Sequence, residues 1–318
     1  MDGGIGISGE QLLLVVLFGL VAAATVAEMY YSYRRGLQLY EKRDTLTNLG
    51  LMAAAAAVNL GMKAATFLLL DYGYRFRLFQ IGNVWAYWIV LVLAQDLLYW
   101  CLHAAGHYVR LLWASHVSHH SSEYFNVSTG FRSTVFEPFY RVFFYLPLAF
   151  AGFRAVDIML AYMVTQIYGN LVHTQRIAKL PAWIEYVFVT PSHHRVHHAS
   201  NARYLDKNMG MVLILWDRWF GTFQQEDPRD PVRYGVAGKS QQGGLLDIVF
   251  REFLVMGNDV RKAPSFMDKL GYVFGPPGWS HDGRSKTAKA IRQELQEAER
   301  NGHAVLPGIE GTPLADPP

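Results

Sequence analysis

Long apolar runs alternate with short charged segments along the first half of the chain. Residues 11–31 and 84–102 are each apolar over about the length that crosses a bilayer. A third run, 48–70, carries Asn59 and Lys63 within it. The pattern predicts membrane-spanning helices at all three places. A fourth run, 139–172, is long enough for two passes or for a re-entrant hairpin.

The pattern changes after Phe223, where polar and charged residues become frequent. Residues 224–244 have the composition of a linker, and 245–262 have that of an amphipathic helix that lies on the membrane or caps a site. Residues 285–302 predict a solvated helix, and 308–318 predict a disordered end. We therefore divide the chain into N-terminal membrane anchor spans (1–83), a histidine-rich catalytic domain (84–225) and a cytoplasmic C-terminal region (226–318).

Basic residues give the chain an orientation. Arg34, Arg35, Lys42 and Arg43 follow the first apolar run, and basic loops stay in the cytoplasm. Counting crossings from that loop places everything after Leu102 on the cytoplasmic side. The net charge of +3 fits a membrane protein with basic loops and gives no reason to expect nucleic acid as a partner.

Histidines are concentrated in three short clusters beside the apolar runs. Ten of the twelve lie between positions 103 and 198, and eight of these ten form the patterns HxxxH, HxxHH and HxxHH. Residues three and four apart share one face of a helix, and neutral imidazole suits iron, zinc, copper and nickel. A structural zinc site uses four ligands, so eight or nine histidines predict two metal ions. The single cysteine, Cys101, excludes a multi-cysteine metal site.

Four strings carry a resemblance to a known family: RLLWASHVSHHSSEYFNVSTGFR (110–132), LVHTQ (171–175), PSHHRVHH (191–198) and DKNMGMVLILWDRWFGTF (206–223). Together they resemble the fatty acid hydroxylase / sterol desaturase superfamily of membrane di-iron, histidine-box proteins. Within it, the chain is most similar to bacterial sterol desaturase family proteins of the alkylglycerol monooxygenase type. The likeness is strongest between residues 84 and 225.

The resemblance implies an all-α fold, a polytopic membrane bundle of about four or five segments. A cytoplasmic histidine-rich helical cap would hold the dimetal site. The metal ligands implied by position are His103, His107, His116, His119, His120, His173, His194, His197 and His198.

Other polar residues are candidates for a supporting role around the ligands. Asp96 lies seven residues before His103, on the same helix face, and metal-bound histidines commonly donate their second N–H to a carboxylate. Glu123 could do the same for the second cluster if its helix continues. Asn170 belongs to a polar stripe that leads to a span end, and His193 precedes the last cluster without matching a ligand position.

The expected reaction uses two irons and O2, with zinc as a conceivable substitute metal, to hydroxylate or desaturate a lipid. The lipid would be a sterol, a fatty acyl chain or an alkyl ether. The sequence contains no glycine-rich dinucleotide fingerprint, so the electrons would come from a separate donor protein or a diffusible reductant such as tetrahydrobiopterin. The alternative is a membrane protein that transports or binds metal or haem without oxygenase activity.

Overall fold

The computed structural model of the chain describes residues 9–237 and 243–301, and the expected disordered end lies outside them. The described residues are helical apart from connecting segments and two isolated β-bridges, so the all-α prediction is confirmed. The helices are α1 Gly9–Arg35, α2 Lys42–Arg75, α3 Val84–Tyr108, α4 Arg110–His120, α5 Glu137–Phe150, α6 Ala155–Leu171, α7 Ala182–Val187, α8 Pro191–His197, α9 Leu215–Phe220, α10 Leu245–Lys262, α11 Phe266–Phe274 and α12 Ala288–Arg300. Short 3₁₀ turns occupy Val127–Phe131 and Ala202–Tyr204.

Three helices, α1, α2 and α3, are long and apolar enough to cross a membrane. The fourth apolar run folds as a helical hairpin, α5 and α6, that turns at residues 151–154. At 1.5 Å per residue these two helices are about 21 and 26 Å long, short of the roughly 30 Å hydrocarbon core. The run therefore forms two antiparallel helices shorter than a perpendicular crossing, and the choice between two passes and a re-entrant hairpin stays a prediction.

The apolar core of the bundle lies where this hairpin packs against α2 and α3. Leu70, Leu91 and Ile158 are among the fully buried side chains there. At the hairpin tip the backbone N–H of Leu78 donates to the carbonyl oxygen of Phe150 at 2.7 Å, which ties the tip to the connection between α2 and α3. The histidines lie at the opposite end of α3, away from this tip.

Helix α1 is attached to the rest of the molecule by a buried carboxylate. Glu28 accepts hydrogen bonds from the backbone N–H of Val127 at 2.8 Å and from the hydroxyls of Tyr40 and Thr174. A carboxylate within a membrane helix is costly unless such donors surround it. The basic loop after α1 therefore lies at the same end of the bundle as the histidine clusters.

The predicted amphipathic helix at 245–262 is confirmed as α10. Its buried face, which includes Ile248 and Met256, packs beside α4, and Arg110 of α4 forms ion pairs with Glu252 and Asp259. Leu246 and Leu254 are exposed on the other side. The helix thus covers the outer side of the segment that carries the second histidine cluster.

Candidate metal centre

The nine histidines singled out by their spacing converge into two adjacent groups. The five-histidine group contains His103, His107, His116, His120 and His197, and the four-histidine group contains His119, His173, His194 and His198. Within each group the candidate ligand atoms lie within 4.8 Å of one another. Eight of these side chains are buried and that of His119 is half-buried.

Neighbouring residues of one helix are divided between the two groups. On α4, His116 and His120 are four apart and join the five-histidine group, while His119 faces the other group. At the end of α8 the same division places His197 in the five-histidine group and both His194 and His198 in the four-histidine group. Each HxxHH pattern therefore contributes histidines to both groups.

The distances between ring nitrogens fit shared metal ions. Nε2 of His116 lies 3.0 Å from Nε2 of His103 and 3.2 Å from Nε2 of His120. In the other group Nε2 of His173 lies 2.9 Å from Nε2 of His194 and 3.1 Å from Nε2 of His198. Two nitrogens bound to one ion at about 2.0–2.1 Å each stand about 2.9–3.4 Å apart. The donor set therefore fits two ions bound mainly by imidazole.

Five of the nine rings are anchored through Nδ1, which leaves Nε2 directed into the groups. Such outer hydrogen bonds fix the orientation of a metal-binding ring and its tautomer. Nε2 of His107 and of His197 is buried with no hydrogen-bond partner among the described residues, as a free donor to a metal would be. The anchoring pairs are His103 with the carbonyl oxygen of Met209 (2.8 Å), His107 with Asp206 (3.2 Å), His119 with the carbonyl oxygen of Arg132 (3.0 Å), His173 with that of Gly169 (2.7 Å) and His197 with that of Lys207 (3.0 Å).

Burial favours the neutral form of the rings of His116, His120, His173, His194 and His198. Burial, followed by the neighbouring imidazoles, holds the pKa of His116 and of His120 well below the ordinary value. The same two causes lower the pKa of His194 and His198, and burial lowers that of His173 to about 4. A neutral imidazole has a lone pair available, so no proton must be displaced before a metal binds.

Asp96 was predicted to orient a histidine ring, but its hydrogen-bond partners are backbone and indole N–H groups. Its carboxylate accepts hydrogen bonds from the backbone N–H groups of Val212 (3.1 Å) and Leu213 (3.0 Å) and from the indole of Trp216 (2.8 Å). The chain segment after α8 returns beside α3 and offers these donors to Asp96. The carboxylate thus fixes the backbone next to Met209, whose carbonyl oxygen holds His103.

A second carboxylate, which the sequence reasoning missed, fixes the same segment. Asp217 is fully buried and accepts from the backbone N–H groups of Met209 (2.7 Å) and Gly210 (2.8 Å), and from Trp100 and Thr222. The carboxylate that does contact a ligand ring is Asp206. Both residues lie in the 206–223 string that carries the family resemblance, and that string was the available signal.

The remaining candidates for support occupy different surroundings. Glu123 is exposed, and α4 ends at His120, so the helical spacing expected of Glu123 does not exist there. Asn170 packs beside the four-histidine group against Gly130, where an added Cβ would lie 2.6 Å from the Asn170 amide nitrogen. His193 turns away from both groups, and its Nε2 lies 3.1 Å from Glu185.

A cavity of about 130 Å³ lies against the five-histidine group. His107, His120 and His197 form its floor. The walls combine the apolar side chains of Trp113 and Ile291 with the charged Asp206 and Lys286. The cavity lining therefore offers both apolar and charged side chains to a molecule that approaches the centre.

The sequence profile described as Fatty acid hydroxylase matches residues 88–222, the segment that contains all nine converging histidines. Residues 88–222 therefore form a fatty acid hydroxylase domain within the chain. Outside the matched segment lie α1, α2 and the C-terminal helices, among them α12 with the cavity-lining Ile291.

Curated proteins similar to this chain include two vertebrate proteins named alkylglycerol monooxygenase. The one from Xenopus tropicalis is 30% identical over 86% of this chain and 60% of its own length, and the one from Homo sapiens is 33% identical over 70% and 48%. The ornithine lipid hydroxylase OlsE of Rhizobium tropici is 26% identical over 74% of this chain and 73% of its own. The chain thus spans about half of the length of the alkylglycerol monooxygenases. No solved structure matches it significantly.

Proposed function

We propose that the protein is a membrane di-iron oxygenase that uses O2 to hydroxylate or desaturate a lipid. The observation that carries the proposal is the convergence of nine imidazoles into two adjacent, buried groups at one end of the apolar bundle. Imidazole donors suit iron, and two reduced irons bound there would supply the reaction of O2 with an unactivated C–H bond. The relatives named as lipid oxygenases support the same class of reaction.

The nine histidines would hold the ions, and the residues behind them would keep the rings in place. Met209, Lys207 and Arg132 do so through carbonyl oxygens, and Asp206 does so through its carboxylate. Because eight of the nine rings are buried, the surrounding residues shield the centre from bulk water. The protein's contribution is therefore ligation, orientation and exclusion of water.

The cavity is the site that we assign to the reacting part of the lipid. Trp113 and Ile291 would contact an apolar chain, while Asp206 and Lys286 would face a polar group at its end. A volume of about 130 Å³ accommodates only one portion of a lipid, so the remainder would extend beyond the cavity. The boundary between head group and chain of a membrane lipid has both characters, which favours that portion as the one bound.

The electrons would arrive from a separate donor protein or a diffusible reductant, tetrahydrobiopterin among the candidates. We place the histidine groups at the cytoplasmic face. Two features support this placement: the basic loop after α1 lies at the histidine end of the bundle, and basic loops remain in the cytoplasm. A donor from the cytoplasm could then reach the centre directly.

The experiment has two parts. The protein purified in detergent under reducing conditions is expected to contain two irons per chain and to consume O2 when lipid and reductant are added. Comparing the lipids of cells with and without the protein would identify the substrate as the lipid that accumulates in its absence. Bound metal without O2 consumption on any cellular lipid extract would favour a metal-binding or transport protein instead.

A further inference from the structure

The C-terminal helix α12 reaches the metal centre although it lies outside the segment that matches the family. Ile291 on α12 and Lys286 just before it line the cavity. Arg292 is the residue after Ile291. Nη1 of its guanidinium donates to the carbonyl oxygen of Leu205 at 2.5 Å and lies 3.7 Å from Oδ2 of Asp206. The helix thus contacts the turn that holds the outer side of the five-histidine group.

Asp206 connects Arg292 to the centre. One carboxylate oxygen faces Arg292, and the other lies 3.2 Å from Nδ1 of His107. The side chains of Arg292 and Asp206 are 18% and 19% exposed, so the ion pair is shielded from much of the solvent screening that weakens surface pairs. The three side chains form a chain of contacts from α12 to a candidate ligand.

The backbone of this turn is held in an unfavourable conformation. Asp206 has φ +51° and Asn208 has φ +56°, both in the left-handed region that costs free energy in residues other than glycine. The carbonyl oxygen of Lys207, between them, accepts from Nδ1 of His197. One strained turn therefore holds two rings of the five-histidine group, and such a turn persists only when its surroundings fix it.

We infer that Arg292 is a positioning residue for the five-histidine group, acting through Asp206 on His107. The inference rests on the proposed binding of metal by these histidines. The guanidinium holds the carboxylate towards the ring and anchors the turn at Leu205. The carboxylate in turn fixes the ring so that Nε2 faces the centre, and loss of such an outer contact commonly weakens metal binding about 10–100-fold.

A second ion pair of α12 provides a matched control. Arg203 of the Ala202–Tyr204 turn pairs with Glu299, near the end of the helix, without contacting the histidine groups. Arg203→Gln removes an arginine that holds the same helix and leaves Asp206 untouched. Any effect caused simply by loosened docking of α12 would therefore occur in this variant as well.

The test measures the rate at which a chelator removes metal from the purified full chain, together with the number of ions retained. Arg292→Gln and Asp206→Asn are each expected to lose about one of two ions at least about tenfold faster than the wild type. Arg292→Lys is expected to restore part of the retention, because it returns the positive charge without the planar fork. The double variant Arg292→Gln/Asp206→Asn should lose metal by less than the sum of the two single effects, because part of the contribution of Arg292 passes through Asp206 and the rest through Leu205.

Wild-type retention in Arg292→Gln, or equal loss in Arg203→Gln, would overturn the inference while leaving the proposed function intact. Additive losses in the double variant would overturn it also. A wild-type chain that binds no ion would overturn the proposed function and this inference with it. Thermal unfolding of Arg292→Gln and Arg203→Gln in detergent shows whether both variants are equally folded.

Discussion

Arg132 holds His119 through its own backbone: its carbonyl oxygen accepts from Nδ1 of the histidine at 3.0 Å. Its guanidinium is buried and forms an ion pair with Asp44 of α2 at 2.7 Å. The same guanidinium donates to the carbonyl oxygen of Ser118 at 3.0 Å, on the helix that carries the ring. A single residue thus connects α2, the end of α4 and a candidate ligand.

Replacing Arg132 by glutamine should therefore lower both stability and metal retention. Breaking a buried ion pair costs about 3–5 kcal/mol, and we expect the lower part of that range because Asp44 is partly exposed and keeps hydrogen bonds from Asn48 and Ser122. We expect a lower midpoint of thermal unfolding in detergent and loss of metal from the four-histidine group first. The control is Arg75→Gln, whose exposed pair with Asp71 should contribute under about 1 kcal/mol. Equal midpoints for the two variants would contradict the expectation.

Removing the ring of His119 should abolish lipid oxidation and reduce bound metal together. His119 is the only ring of α4 in the four-histidine group, so His119→Ala leaves that group with three imidazoles. We expect at most half of the wild-type iron content and a loss of lipid oxidation of at least about a hundredfold. His281→Ala, which removes a histidine outside both groups, is the control. Undiminished oxidation by His119→Ala would exclude the group from the reaction.

Asp96→Asn is expected to lower the stability of the fold more than it lowers metal retention. An amide has one acceptor oxygen, so it cannot satisfy three donors, and its NH2 group would face another N–H. Leaving such a buried donor unpaired costs about 1–3 kcal/mol. The measurement is thermal unfolding beside iron content. The midpoint should fall, while iron retention should suffer less than in Asp206→Asn, because Asp96 contacts no ligand ring. The reverse order of iron loss would contradict this reading.

Filling the cavity should block the substrate and spare the metal. Ile291→Trp places a larger ring in the cavity lining, and we expect at least about a tenfold loss of lipid oxidation from the steric cost of crowding. Iron content should stay at the wild-type value. Lys289→Trp puts the same ring on the exposed side of the same helix and should oxidise lipid normally. Unchanged oxidation by Ile291→Trp would show that the lipid reaches the centre by another route.

The histidine spacing predicted a set of metal-binding side chains because helical periodicity is a local property, but it left open how they divide between two groups. His116 and His120 share a face at a spacing of four, whatever surrounds the helix. The three long apolar helices and the amphipathic helix at 245–262 followed from the same kind of local pattern, whereas the all-α fold was expected from the family resemblance. For residues 139–172 the pattern left two alternatives, since apolarity alone does not separate a re-entrant hairpin from two full passes.

The outer contacts of the ligands could not be predicted in this way. Asp96 and Asp206 are both carboxylates near histidine clusters in sequence, and spacing favoured the first as the partner of a ring. Tertiary structure decides otherwise, because the turn at 206–208 folds back over His107 while Asp96 meets backbone donors. The contribution of α12 could not be predicted from the sequence either, since Arg292 is 185 residues away from His107 along the chain.

Glu28 gives the first membrane helix a sequence requirement that bilayer insertion alone would not impose. Its carboxylate receives the amide of Val127 and the hydroxyl of Thr174, directly after His173. Exchanging the first span for that of an unrelated membrane protein would therefore leave these buried donors without an acceptor, even if the replacement inserted well. A functional chimera would have to bring its own acid at the same depth of the helix.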